Sequence, residues 1–227
     1  GTMLGVMAGI TLSFKVRGEP RVGIVFYGDA ASSTGAWHEG LNFSAVQRCP
    51  LILMVEANQW MFSTATTMNT RVQSFTDKAA GYGIGSESVD GTDIVAVYEA
   101  VSRAAKRARA GEGTQMVELS YYRRLDYVQH DPQESVDPDE LAMWEGRDPI
   151  SLFERRVLEE GWAEEPELEE IRGRAEEDCR LAAEQAVSEP VPYGPEAVEG
   201  IYTDTVTPHP WTRTDEPDKR ATSELKT

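Results

Sequence analysis

Two rhythms of apolar residues alternate along the first 120 positions. Val22 to Tyr27 and Leu51 to Val55 are nearly unbroken apolar runs of strand length, and Met116 to Ser120 is a third candidate strand. A strand with one wet face alternates, whereas an unbroken run suits a strand covered on both faces, as in a parallel sheet. Between the first two runs, residues 34–48 bring Trp37, Leu41 and Ala45 onto one helical face, and Pro50 ends that pattern. The spacing therefore predicts a β-α-β unit with a right-handed crossover.

The helical rhythm also fills residues 3–16, which Arg17-Gly18-Glu19-Pro20 interrupts, and residues 92–110, where Ile94, Val97, Val101, Ala104 and Ala108 form one stripe closed by Gly111. Residues 57–75 read as a polar loop, 75–81 as a short helix and 88–90 as a short strand. Residues 123–139 form a charged loop with Pro132 and Pro138, followed by helices over 149–160 and 166–188. Residues 203–227 are rich in Thr, Pro and charge and read as an extended tail that orders only on a partner. The fold class expected is α/β: a three-layer α/β/α arrangement with a mainly parallel sheet, a helical C-terminal region and a tail. The expected divisions are residues 1–130, 131–202 and 203–227.

Charge sharpens this division. Residues 1–130 hold 12 acidic and 12 basic side chains, whereas residues 131–227 hold 27 and 10, so the net charge of −17 lies in the second part. Nucleic acid and anionic membrane surfaces require the opposite sign, so neither is an expected partner. The acidic excess reads as solvated helical faces. The two cysteines, Cys49 and Cys179, are far apart with no ligand neighbours, which suits a reducing, cytoplasmic location and no disulfide. No apolar run reaches the ~18 residues of a membrane span. Met3 to Phe14 has glycines at helical spacing and no basic lead, unlike a signal peptide. Its amphipathic pattern is already under way at Gly1, which reads as a truncated start.

Chemistry concentrates where the strands end. In a parallel sheet, ligands bind outside the carboxyl ends of the strands. Asp29 follows the first run in "FYGDAASSTGAWHEG", and Asn58 and Trp60 follow the second. With the strands as neighbours, Asp29 and Asn58 face one crevice. A carboxylate, an amide oxygen and backbone carbonyls make a hard oxygen site suited to magnesium, and the N-terminus of the 34–48 helix favours an anion beside it. The bland alternative is a capping Asp29 and an Asn58 that closes an Asx turn. "GYGIGS" at 81–86 lacks the third glycine and the strand-turn-helix setting of a dinucleotide site.

The stretch "YGDAASSTGAWHEGLNFSAVQRCPLILMVEANQW" resembles the thiamine-diphosphate motif of the alpha subunit of 2-oxoacid dehydrogenases, the pyruvate, branched-chain and acetoin group. The likeness continues through "KAAGYGIGSESVDGTDIVAVYEAV", "AGEGTQMVELSYYRR", "HDPQE" and "RDPISLFERRVLEEGW", and spans roughly residues 1–200. It implies the thiamine-diphosphate-binding fold with the N-terminal part of the family domain absent. It implies magnesium held by Asp29, Asn58 and the backbone carbonyl of Trp60. Gly28, Ala30 and Ala31 then border the diphosphate, and Tyr127 stands at the position of a catalytic, diphosphate-contacting histidine. The partners implied are a beta subunit in an α2β2 assembly and a lipoyl-bearing acyltransferase. The reaction implied is oxidative decarboxylation of a 2-oxo acid with acyl transfer to the lipoyl group, the cofactor carrying the hard chemistry.

The chain departs from the family pattern on this one ligand. Ala30 replaces glycine, Ala57 replaces the first asparagine, and Asp126-Tyr127 replaces Gly-His in the covering loop "RRLDYVQHD". Ala30 would cost about 1 kcal/mol if its site required positive φ. A phenol, with an ordinary pKa near ~10, donates to phosphate but shuttles protons poorly at neutral pH. Asp126 adds charge that repels a diphosphate, and His130 substitutes for the histidine only after a register shift. His38 reads as a helix-surface residue. The alternative function is a non-catalytic relative that keeps the fold and the beta-subunit interface with weakened cofactor binding.

Overall fold

The computed structural model describes residues 1–125, 127–128, 136–191 and 193–198. The chain forms two compact units, Gly1–Trp162 and Ala163–Thr227. The tail expected over 203–227 lies outside the described residues, as do Asp126 and His130.

In the first unit the elements run α1 (Thr2–Val16), β1 (Gly23–Gly28), α2 (Gly35–Val46), β2 (Leu51–Ala57), a small hairpin of β3 (Trp60–Met61) and β4 (Thr64–Ala65), α3 (Thr66–Asn69), α4 (Thr76–Gly81), β5 (Gly85–Asp90), α5 (Ile94–Arg107), β6 (Gln115–Ser120), α6 (Pro138–Glu145) and α7 (Pro149–Glu159). One sheet takes the order β1-β2-β6-β5, and every neighbouring pair is parallel. Gly28 pairs with Glu56 and Ala57 with Ser120, so the carboxyl ends of β1, β2 and β6 are flush.

Burial on both sides explains the unbroken apolar run of β2; β1, expected to be covered on both faces, is an edge strand that leaves Ile24 and Phe26 exposed on one of them. Val25, Tyr27, Leu51, Leu53, Val55 and Met116 face a core completed by Leu4 of α1, Trp37 and Leu41 of α2 and Ala79 of α4. Ile52, Met54 and Val117 face the other way, under Ala100 and Ala104 of α5. The result is three layers, as the sequence leads one to expect. α1 and α2 meet at backbone distance: a Cβ on Gly40 would lie 2.8 Å from the Gly5 amide nitrogen. Among the described residues, no helix is long and apolar enough to cross a membrane.

Three details differ from the pattern-based expectation. The buried face of α5 centres on Ala100 and Ala104, while Ile94 at its first residue is 42% exposed. The polar stretch 57–75 holds the β3–β4 hairpin and α3, both too short for a periodic signal. β5 begins at Gly85, three residues ahead of the start expected at residue 88, since backbone pairing to β6 rather than burial makes it a strand. A Cβ on Gly85 would crowd the ends of the Gln115 and Arg107 side chains.

α6 and α7 each open on an aspartate cap and a proline: Asp137 accepts from the Asp139 and Glu140 amides, and Asp148 from those of Ile150 and Ser151. Arg147 pairs with Asp90 at 2.5 Å, Arg124 pairs with Asp148, and Tyr122 stacks on Trp144 at 5.7 Å. These ties run to the carboxyl ends of β5 and β6, and the first unit extends to Trp162, past the boundary that charge suggested at residue 130. In the second unit, α8 (Glu165–Ser188) buries no side chain. It opens on a capping box between Glu164 and Glu167, and Arg180 bridges Glu177 and Glu184 at 2.5 Å each. It is a solvated acidic helix.

Candidate functional site

β1 ends at Gly28 and the chain enters a single 3-10 turn, Asp29–Ser33, before Thr34 caps α2 by accepting from the Trp37 amide. Asp29 opens that turn and is 2% exposed. Its Oδ1 accepts the Ala30 amide at 2.9 Å, and its Oδ2 accepts the Thr66 hydroxyl from the first residue of α3. The Ser32 hydroxyl donates back to the Asp29 carbonyl at 2.6 Å. Burial pushes the Asp29 carboxyl above its ordinary pKa, against the hydrogen bonds from Thr66 and Ala30 and the charge of Arg123. Among the described residues no cation lies within ion-pair distance of it. A carboxylate withdrawn from water and lacking an ion-pair partner is costly alone and favourable beside a metal cation.

Asn58 leaves β2 one strand over. Its Oδ1 accepts the Trp60 amide at 3.0 Å, closing an Asx turn, and the backbone continues through Gln59 at φ +69°. The two neighbouring exits are laced together: the Tyr121 amide donates to the Ala57 carbonyl at 3.2 Å, and the Arg123 amide to the Asn58 carbonyl at 3.1 Å. The Tyr121 phenol lies beside the Asn58 side chain and in the field of Glu56 and Asp29. Burial first, then those two charges, push its pKa up to about 12. Asp29 and Asn58 therefore leave neighbouring strand ends, and both lie near Tyr121. Sequence reasoning missed Tyr121, although its place one residue past a strand flush with β2 is the signal that could have found it.

Alanine at position 30 carries no backbone penalty here. The non-glycine residues with positive φ among those described are Arg48, Gln59 and Phe62, so the condition attached to the ~1 kcal/mol cost is not met. Gly28 has extended backbone (φ −72°, ψ 163°) and open space at its Cβ position. Ala31 is half-buried and packs on the core that holds Trp37. Ala57 is buried at the end of β2. His38 stays on the surface of α2, its Nδ1 2.5 Å from the Tyr82 hydroxyl.

Tyr127 sits elsewhere on the rim. Its ring meets Phe62 edge-on at 5.2 Å, and the Arg123 guanidinium lies over it at 5.7 Å while donating to the Phe62 carbonyl at 2.7 Å. Phe62 occupies the tip between β3 and β4 at φ +52°. Among the described residues, the ring contacts of Tyr127 are with Phe62 of the hairpin and with Arg123.

The donor set fits a hard cation. It offers one carboxylate, one amide oxygen and backbone carbonyls, the composition magnesium takes when phosphate oxygens and water complete its shell. No cluster of three His, Cys, Asp or Glu suited to a softer metal occurs among the described residues. Beyond the ends of β2 and β6 a cavity of about 550 Å³ opens, lined by Trp60, Thr66, Arg71, Phe75 and Glu118 among others.

Residues 1–194 match the family described as the dehydrogenase E1 component. The alpha subunit of the pyruvate dehydrogenase E1 component from Staphylococcus aureus is 36% identical over 182 residues, 79% of this chain and 49% of that protein. The corresponding Staphylococcus epidermidis subunit is 34% identical over 181 residues, again 79% of this chain and 49% of the relative. The alpha subunit of acetoin:2,6-dichlorophenolindophenol oxidoreductase from Cupriavidus necator is 36% identical over 192 residues, 84% of this chain and 57% of the relative. The chain spans about half the length of these curated relatives. With a parallel sheet, a buried aspartate at the end of one strand and an asparagine at the end of its neighbour, this chain belongs to the dehydrogenase E1 component family.

Proposed function

We propose that this chain acts as the alpha subunit of a thiamine-diphosphate-dependent 2-oxoacid dehydrogenase, holding the magnesium diphosphate end of the cofactor. The observation that carries the reading is Asp29: 2% exposed, without an ion-pair partner among the described residues, and one residue past the end of β1, next to the strand that Asn58 follows. Asp29, Asn58 and the Trp60 carbonyl would hold magnesium, and the backbone at Gly28, Ala30 and Ala31 would border the diphosphate. Thiamine diphosphate, when bound, supplies the electron sink for breaking the bond to carbon dioxide. This chain's own residues bind and orient. Thr66 and the Ala30 amide aim the Asp29 carboxylate, the Trp60 amide holds the Asn58 side-chain oxygen, and the N-terminus of α2 favours the anion.

The reading carries with it a beta subunit in an α2β2 assembly and a lipoyl-bearing acyltransferase as recipient of the acyl unit. Tyr127, at the family's histidine position, would act at most as a hydrogen-bond donor to phosphate. Its packing against Phe62 and Arg123 favours a second reading, a non-catalytic relative that keeps the fold and the subunit interface. Calorimetric titration of thiamine diphosphate with magnesium into the co-expressed full-length alpha-beta assembly separates the two. Micromolar or tighter binding, lost in Asp29→Asn, supports the catalytic subunit. Absence of heat in a complex shown to be assembled overturns it in favour of the non-catalytic relative.

A further inference from the structure

The geometry points to Lys78 as the positioning residue of the Asp29 turn, acting through Ser32. Lys78 sits in the middle of α4, 46 residues from Ser32 in sequence, and its Nζ donates to Ser32 Oγ at 2.9 Å and to the Ser32 carbonyl at 3.2 Å. Ser32 is fully buried, and its hydroxyl proton is committed to the Asp29 carbonyl. The ammonium therefore fills the acceptor side of a hydroxyl whose donor side grips the peptide of Asp29. One side chain sets the rotor, and the rotor sets the turn.

The ammonium is itself held in place. It lies over the Phe75 ring at 5.2 Å and the Trp37 ring at 5.7 Å, and no carboxylate comes within ion-pair distance among the described residues. Burial lowers its pKa, the cost of setting a cation on ring faces and a neutral serine. A surface lysine used only for solubility would avoid that cost. α4 is anchored at its start by the buried Glu118 of β6, which accepts from the Ser74 hydroxyl and from the Thr76 amide at 3.2 Å. At its end, Tyr82 meets His38 of α2. The result is a brace running from β6 through α4 to the turn that follows β1. It rests on the reading of that turn as the magnesium-diphosphate grip, and it makes α4 part of the grip although none of α4's residues borders the crevice.

The test uses the full chain, alone and then assembled with the beta subunit, carrying Lys78→Met, Lys78→Arg, Ser32→Ala and the Lys78→Met/Ser32→Ala pair. Amide hydrogen exchange over residues 29–34, referenced to the amides of Leu53–Val55 for global opening, should accelerate roughly tenfold in Lys78→Met and in Ser32→Ala. The pair should be no faster than either alone, and Lys78→Arg, which keeps charge and donors, should restore most of the protection. In the assembly, loss of an outer-shell support of this kind weakens metal-cofactor affinity by about 10- to 100-fold, seen as a raised KM for thiamine diphosphate with kcat at saturation preserved. Unchanged exchange at the turn, fully multiplicative effects of the two single changes, or an acceleration shared equally by Leu53–Val55 would each overturn the proposal. A wild-type assembly that binds no cofactor would refute the function proposed above while leaving the exchange result to decide Lys78.

Discussion

Thr66→Val tests whether the Asp29 carboxylate is held by its neighbours in the way the structure shows. Valine nearly matches threonine in shape, so the change removes one donor and little else. The Asp29 side chain is 2% exposed, and water cannot readily replace the lost hydroxyl at Oδ2. A hydrogen bond to a charged group contributes about 1.5–3 kcal/mol, and leaving the acceptor buried incurs its desolvation cost. We therefore expect a loss of about 2 kcal/mol at pH 7, roughly a 30-fold shift in the folding equilibrium. The loss should carry a pH signature. Burial already raises the folded pKa of Asp29 above its unfolded value, and Thr66 acts to lower it. A raised carboxylate pKa means stability is fully present below the unfolded pKa and is lost as pH rises through the folded pKa. Removing the Thr66 donor enlarges that loss, so the penalty should shrink on acidification through the Asp29 titration. Urea unfolding of the variant beside wild type and Thr66→Ser, at a series of pH values, measures both quantities. A penalty under ~0.5 kcal/mol at pH 7, or one that stays constant or grows on acidification, would refute the reasoning.

Four other outcomes are expected. Asp29→Asn should raise the urea midpoint of the cofactor-free chain at neutral pH, because it removes a charge that burial disfavours, while abolishing magnesium-dependent heat in calorimetry. Gly40→Ala should cost about 1–3 kcal/mol by overpacking, since the new Cβ would lie 2.8 Å from the Gly5 amide nitrogen; a thermal melt reads it. Arg147→Ala should cost under ~1 kcal/mol. Although burial opposes ionisation of Asp90, the bonds from Thr92 and then Arg147 hold its carboxyl below the usual range, and Thr92 survives the change. Because that folded pKa is lowered, the associated stability is present above the unfolded pKa and disappears as pH falls through the folded one, so the difference between wild type and variant should vanish in acid and in 1 M salt. Tyr127→His with Asp126→Gly should tighten thiamine diphosphate binding in the alpha-beta assembly; an unchanged calorimetric affinity would show that position 127 does not limit the site.

The sequence by itself determined the layers and the strand ends at which polar residues gather. Leu51 to Val55 is legible because a strand buried on two faces has to be apolar at every position; Val22 to Tyr27 reads the same way in sequence, although in the fold β1 is an edge strand that buries Val25 and Tyr27 and leaves Ile24 and Phe26 exposed. Asp29 and Asn58 were legible for a related reason: polar residues immediately past such runs fall at the carboxyl ends, where ligands sit. The resemblance to the E1 alpha subunits then supplied roles that spacing alone left open.

Tertiary structure decided what no local rule encodes. β5, with Gly85, Ser86, Glu87 and Ser88, lacks the apolar signature and is a strand because β6 lies alongside to pair with it. Ala30 looked like a strained substitution, and only the backbone shows a 3-10 turn without positive φ. The partners that aim Asp29 come from far along the chain: Thr66 from 37 residues on, and Lys78 from 46 residues beyond Ser32. A hydrogen bond between distant residues requires only a donor, an acceptor and a fold that brings them within reach. Serines, threonines and lysines that meet in this way look the same in sequence as those that face water, so their pairing is written in the packing of α3 and α4 against the turn and nowhere in the chain around them.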